Sequence, residues 1–209
     1  MDVISDDSLI RDEASLGALY GDPSPAAISK EIDYIHPHYR AMIEASPFLV
    51  LATSGPAGLD ASPRGDPAGF VHVLDDKTLL IPDRRGNNRI DSLRNIIHDD
   101  RVALLFLIPG VGETLRVNGR AAISVAQDLI GRFPFRGTLP RSVIVVTVQS
   151  IYFQCPKAFV RSELWNPAKH TSRKDLPSTG TILAEVTAGL INGEQYDRGY
   201  PERLRTTIY

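Results

Sequence analysis

The chain is poor in most features that would narrow its class at a glance. Among its 209 residues there is one cysteine, Cys155. A single cysteine excludes an intramolecular disulfide framework. It also excludes multi-cysteine zinc sites and iron–sulfur clusters held by this chain alone. Long apolar runs are missing too: the longest, residues 102–109, falls far short of the roughly 20 residues of a bilayer-spanning helix. Neither charge sign is in excess. With 23 Lys and Arg against 25 Asp and Glu, the formal net charge is -2. That balance gives no global pull towards nucleic acid or an anionic membrane, and neither is expected as a partner. There is no internal repeat and no low-complexity segment. The glycine spacings of a Walker loop and of a dinucleotide fingerprint are absent.

What remains is ordinary globular material. Hydrophobic residues make up 43% and charged residues 23%, which excludes collagen-like, coiled-coil and disordered classes. The length suits one domain with additions, and a core of that size folds without staples. The acidic start, Met1-Asp2-Val3-Ile4-Ser5-Asp6-Asp7, lacks the basic-then-apolar order of a signal peptide. A cytoplasmic protein is the expectation.

Three stretches follow along the chain. Residues 8–46 read as helical. Leu9, Ile10, Leu16 and Leu19 have helical spacing, stopped at Gly21-Asp22-Pro23. Ile28, Ile32 and Ile35 predict a second helix reaching His36-Pro37. Pro37 suits the first turn of a third, through Tyr39, Met42 and Ile43. From Pro47 to about Cys155 the pattern is one of short strands: 48–53, a return from 59 to 62, 70–74, 78–81, 102–108, 113–123 and 142–153. Six or seven strands at this spacing predict a closed or sandwiched antiparallel sheet. Two helices interrupt it, one through Ile90, Leu93, Ile96 and Ile97, the other over 125–133. Beyond Cys155, residues 157–165 and 181–191 read as helices, and 196–209 takes no assignment.

Arginine is concentrated at one point. Pro82-Asp83-Arg84-Arg85-Gly86-Asn87-Asn88-Arg89 follows a strand and opens a helix. Arg84, Arg85 and Arg89 offer fixed forks that suit phosphate oxygens. Gly86 permits close backbone approach. Asn87 and Asn88 suit helix caps and also donate amide hydrogens. A helix N-terminus adds unpaired N–H groups and a positive dipole end. The segment reads either as a phosphate-binding corner or as a solvated turn. Arg64, in Asp60-Ala61-Ser62-Pro63-Arg64-Gly65-Asp66, is placed at a turn between strands, either converging on the same anion or pairing with Asp66. Alternation puts Thr114, Arg116, Asn118 and Arg120 on one strand face, lining a pocket or facing water.

At these three segments the sequence resembles the flavin-binding split-barrel proteins related to pyridoxamine 5'-phosphate oxidase. The likeness runs from Ser46-Pro47-Phe48-Leu49-Val50-Leu51-Ala52-Thr53 through Ala61-Ser62-Pro63-Arg64-Gly65-Asp66 and the arginine corner. It continues in Asp100-Arg101-Val102-Ala103-Leu104-Leu105-Phe106 and Leu115-Arg116-Val117-Asn118-Gly119-Arg120-Ala121. Cys155-Pro156-Lys157-Ala158-Phe159-Val160-Arg161-Ser162 is similar to the C-terminal block of one oxidase-related subgroup. Asn87-Asn88-Arg89 replaces the Ser-Arg-Lys triplet of the true oxidase, and the oxidase's C-terminal Trp and Arg-x-His segment has no counterpart.

The resemblance implies a mainly β fold with flanking helices, a six- or seven-stranded antiparallel split β-barrel of FMN-binding type. It implies a homodimer with FMN at the subunit interface. Arg84, Arg85, Asn87, Asn88 and Arg89 would hold the phosphate, with Arg64 near the flavin. Thr114 and Arg116 would lie by the ring and ribityl chain, and Lys157 and Arg161 would reach in from the C-terminal block. The corresponding division of the chain is a helical extension, 1–46, a flavin-binding barrel, 47–155, and a C-terminal helical segment, 156–209. The expected function is two-electron or hydride transfer on a small-molecule substrate. The alternative is a split barrel that holds flavin, deazaflavin or haem without turnover, with His36, His38 and His72 as candidate axial ligands. No metal site is expected. Trp165 is open to flavin stacking or packing, and Cys155 reads as a buried structural thiol rather than a nucleophile.

Overall fold

In the computed structural model, which describes residues 8–208, short polar caps set the first helices. Asp12 accepts from the Ser15 amide at 2.8 Å and starts α1 (Glu13–Tyr20). Gly21, at φ 68°, ends it, a left-handed position that glycine takes without strain. Ser24 caps α2 (Pro25–Ser29), with Pro25 in the first turn. The chain divides into two compact units between Glu31 and Ile32. The expected second helix is therefore shorter than its isoleucine spacing implied. Ile32 instead pairs with Ile151 as an isolated antiparallel bridge, and Ile35 is buried in the core of its unit. Residues 1–7 and Tyr209 lie outside the described residues, and with them the acidic start.

In the larger unit α3 (Pro37–Ala45) starts at Pro37, as the spacing predicts, and buries Ile43 completely. Seven strands follow: β1 (Phe48–Gly55), β2 (Gly58–Gly65), β3 (His72–Val73), β4 (Thr78–Asp83), β5 (Arg101–Leu107), β6 (Thr114–Ser124) and β7 (Ser142–Gln154). All pair antiparallel, in the order β2-β1-β5-β6-β7-β4-β3. β2 is an edge strand, which is why it tolerates Pro63, a residue unable to donate to a ladder. Arg64 thus lies within a strand, opposite Leu49, and not at a turn.

Period-two alternation gives the sheet one apolar face. Leu51 stands opposite Leu104, Leu104 opposite Val117 and Val117 opposite Ile151, and all four are buried. α4 (Asp91–His98) lies on this face, with Ile96 buried and Leu93 packed at the core edge. A smaller cluster of Leu80, Ile130, Phe133 and Val143 packs α5 (Gln127–Ile130) against β4 and β7. β4 is therefore covered on both faces, and Leu79, Leu80, Ile81 and Pro82 are all buried. Between Asn118 and Gly119 the register of β6 against β7 shifts at a bulge. A Cβ on Gly119 would collide there with the Thr147 carbonyl, so only glycine fits.

Beyond the sheet come α6 (Lys157–Ser162), α7 (Thr179–Val186) and α8 (Gly193–Thr207). α8 occupies most of the tail that took no assignment from sequence. Gly180 and Gly193 let α7 and α8 cross in close backbone contact, and Asp197 accepts from the Gly180 amide at 2.8 Å and from the Ser178 hydroxyl.

Candidate functional site

A cleft of about 570 Å³ opens where the inner face of β2, the end of β4 and the start of α4 meet. That volume lies within the roughly 300–1,000 Å³ of small-molecule and cofactor sites. Register explains its polarity. Asp60, Ser62 and Arg64 stand opposite Thr53, Leu51 and Leu49, so they share the core-facing side of the sheet. α4 covers part of that side, tied down by Ser92 Oγ donating to Asp60 at 3.0 Å and by Asn95 donating to Thr53 at 3.1 Å. The polar positions beyond its first turn stay open to the cleft.

Five arginines and three aspartates line the cleft, and their partners sort them by role. Arg84 is already engaged. Its Nε lies 2.7 Å from Asp66, whose side chain is 2% exposed, and its Nη1 donates to the Phe133 carbonyl at 2.8 Å. Arg84, not Arg64, is thus the partner of Asp66, and it pins the end of β4 to two loops. Arg89 pairs with Asp91 at 2.8 Å in an exposed contact. Arg85 is exposed and makes no hydrogen bond or ion pair among the described residues. Arg64 donates from Nη1 to Ser62 and to the Pro63 carbonyl, but its Nε is buried without a partner. An unpaired buried donor costs about 1–3 kcal/mol, a cost that a bound acceptor removes.

The loop between β4 and α4 carries strain. Asn88 has φ 61° and Ile90 φ 53°. A left-handed β-branched residue is rare and costs on the order of 1–3 kcal/mol. Ile90, not an asparagine, is the N-cap of α4, and it makes no side-chain cap bond. The expected capping role of Asn87 and Asn88 is therefore corrected. Asn87 accepts from the Arg89 amide at 3.0 Å, an Asx turn, and Asn88 accepts from Arg141 at 3.3 Å. The first-turn amides of α4 thus stand at the cleft without a side-chain cap. A Cβ on Gly86 would meet open space, so the packing of the chain itself does not require glycine there.

Arg141 was not among the residues picked out from the sequence. It lies more than fifty positions from the arginine corner, and the β4–β7 register, with Asp83 opposite Ser142, delivers it. Asp83 was also overlooked as a site residue. Its carboxyl titrates above the usual range because burial disfavours its charge, an effect that Arg64 and Arg141 oppose. Arg64, Arg84, Arg85, Asn87, Asn88 and Arg89 are thus brought together in one cleft. Thr114, Arg116, Lys157 and Arg161 are not among its lining residues. Thr114 is buried at the start of β6, and Arg116 donates to the Tyr152 hydroxyl at 3.0 Å. Lys157 and Arg161 are exposed on α6.

None of the candidate axial histidines lines the cleft. His72 packs its ring 4.2 Å from that of Phe133, and burial, with Arg132 adding to it, holds its pKa below the usual value. His36 accepts from the His38 amide at the start of α3. Trp165 stacks on Phe159 and donates to the Val111 carbonyl at 2.8 Å. Cys155 is not the expected buried thiol: it follows the end of β7, between the sheet and α6, and its free thiol is exposed. Among the described residues, no group of three or more His, Cys, Asp or Glu is placed to hold a metal, and no helix is long and apolar enough to cross a membrane.

A seven-stranded antiparallel sheet with flanking helices, carrying an arginine cleft after its fourth strand, has the architecture of a split β-barrel. A family model described as pyridoxamine 5'-phosphate oxidase matches residues 35–155, more than half of the chain, and the protein belongs to that family. Asn87-Asn88-Arg89 sets it apart from the true oxidase. Solved structures with similar folds include HupZ of Group A Streptococcus (18% identity, 57% of this chain and 93% of that one, TM-score 0.47). Others are an FMN-binding protein from Syntrophomonas wolfei (12%, 56% and 88%, 0.42) and General Stress Protein 26 from Bacillus anthracis (17%, 55% and 88%, 0.39). No curated protein matches the chain by sequence.

Proposed function

We propose that the cleft binds FMN by its phosphate and that the protein is a cytoplasmic homodimeric oxidoreductase acting on a small molecule. The observation that carries this reading is the set of uncommitted donors: Arg85, without a partner among the described residues, the orphaned Nε of Arg64 and the lightly used Arg141, all on one cleft. A phosphate monoester is the acceptor best matched to several guanidinium forks beside a helix N-terminus. Bound FMN would supply two-electron or hydride transfer to or from the substrate. The chain's own part is to hold and orient. Arg85, Asn87, Asn88 and Arg89 grip the phosphate, Arg64 fixes the flavin side, and Arg84 keeps the end of β4 rigid. Thr114, Arg116, Lys157 and Arg161 are assigned to the neighbouring cleft of a homodimer. Residues 47–155 form the flavin-binding barrel, with 1–46 and 156–209 as additions.

The absorption spectrum of the purified protein tests the cofactor. A flavin spectrum, tight FMN uptake and weak riboflavin uptake are expected. A colourless protein that takes up no FMN refutes the reading, and a Soret band favours haem. Bleaching of bound flavin by NAD(P)H separates an enzyme from a carrier.

A further inference from the structure

The arginine corner has a second side. A smaller hollow of about 210 Å³ adjoins the cleft, and Arg84, Arg85 and Arg141 line both. Thr138 and Leu139 complete its lining. The three arginines therefore stand where the two spaces adjoin, as a septum between them. Arg84 is anchored to Asp66 and Phe133, Arg85 has no partner among the described residues, and the Arg141 side chain hydrogen-bonds Asn88 and faces the Asp83 charge. Charge sits in the septum, while the far wall of the smaller hollow is a hydroxyl and a half-exposed leucine.

This arrangement constrains the ligand. A terminal phosphate ends its molecule, so a monoester gripped by the septum from the larger cleft leaves the smaller hollow unused. A bridging phosphate carries an organic group on each side. Its charge would lie in the septum, with an uncharged portion in either space. From this geometry we propose that the site accepts a flavin whose phosphate is part of a bridging diphosphate, a dinucleotide such as FAD, with the nucleoside end in the hollow lined by Thr138 and Leu139. The inference rests on the flavin-binding reading and extends it past the phosphate. It makes Leu139, 48% exposed, a specificity-determining residue.

Parallel titrations of the full-length protein with riboflavin, FMN and FAD, read by flavin fluorescence, test the idea. Wild type is expected to bind FAD at least as tightly as FMN. Leu139→Trp fills the hollow and is expected to weaken FAD about tenfold or more while leaving FMN within about twofold. Retained FMN affinity shows that the variant is folded. Leu139→Ala, which leaves the hollow open, is expected to keep FAD binding. If FMN binds and FAD does not, the extended site is refuted and the flavin reading survives. If Leu139→Trp weakens both ligands equally, or neither, the assignment of the hollow is refuted. If no flavin binds at all, both readings fall together.

Discussion

Replacing Arg85 with alanine separates ligand binding from folding, because Arg85 has nothing to lose internally. It is exposed and makes no hydrogen bond or ion pair among the described residues. An anion that meets it displaces no protein partner, so the full worth of a charged hydrogen bond appears in binding. That worth is about 1.5–3 kcal/mol, or about 10- to 150-fold in Kd for FMN. Riboflavin, which lacks the phosphate, is expected to bind wild type and Arg85→Ala alike. Stability is expected to move by no more than about 0.5 kcal/mol, as for most surface substitutions. Arg84→Ala is the contrasting case. It breaks the 2.7 Å ion pair with the Asp66 carboxylate, 2% exposed, a loss on the order of 3–5 kcal/mol in folding. Fluorescence titration with FMN and urea unfolding of both variants are the assays. The reasoning is refuted if Arg85→Ala binds FMN like wild type, or if it loses as much stability as Arg84→Ala.

Asp83→Asn is expected to raise FMN affinity and stability at neutral pH. Burial raises the folded pKa of Asp83, so its charged form opposes folding above that pKa, and the gain fades as pH falls from that pKa to the ordinary carboxylate value of 3.8. Thermal melts across acid pH check the sign, and a destabilised variant at pH 7 would contradict it. For His72 the folded pKa is lowered, so wild type loses stability as pH falls from 6.5 through the folded value. His72→Phe keeps an aromatic ring against Phe133 and is expected to remove that part of the acid sensitivity, measured as Tm at pH 7.5 and 5. Gly119→Ala drives a methyl into the Thr147 carbonyl and is expected to cost about 1–3 kcal/mol or more by denaturant unfolding. An unchanged unfolding midpoint would show that the bulge yields to the added carbon.

The long strands were legible because one face of each is buried. Residues 102–108, 113–123 and 142–153 match β5, β6 and β7 to within a residue or so at each end, since apolar alternation there reports directly on the core. Turns were legible where glycine and proline carry them, as in the Gly55-Pro56-Ala57-Gly58 reversal between β1 and β2. The expected strand over 70–74 shrank to His72–Val73, an edge element with a single neighbour. α8 was missed for a different reason. Its fifteen residues contain Pro201 and many charges, while Tyr196, Tyr200 and Leu204 recur every four residues, and Asn192 caps it. In sequence the tail is polar with scattered apolar points, and an interior proline and six charges obscure the helical period.

The site was only partly legible, because a count of arginines does not reveal their partners. Asp66 lies eighteen positions before Arg84, and nothing in that spacing says that it claims this arginine and leaves Arg64 and Arg85 without an ion pair among the described residues. Once acidic partners are assigned, the donors left over are Arg64 from β2, Arg85 from the loop after β4 and Arg141 from the approach to β7. Each comes from a different segment, and two of the three lie outside the motif that first drew notice. The register of β1 with β2 turns Arg64 inward, and the register of β4 with β7 sets Arg141 beside Asp83. An anion gripped by these three cross-links segments that are remote in sequence. Sheet pairing, more than the local run of arginines, is therefore what builds the site.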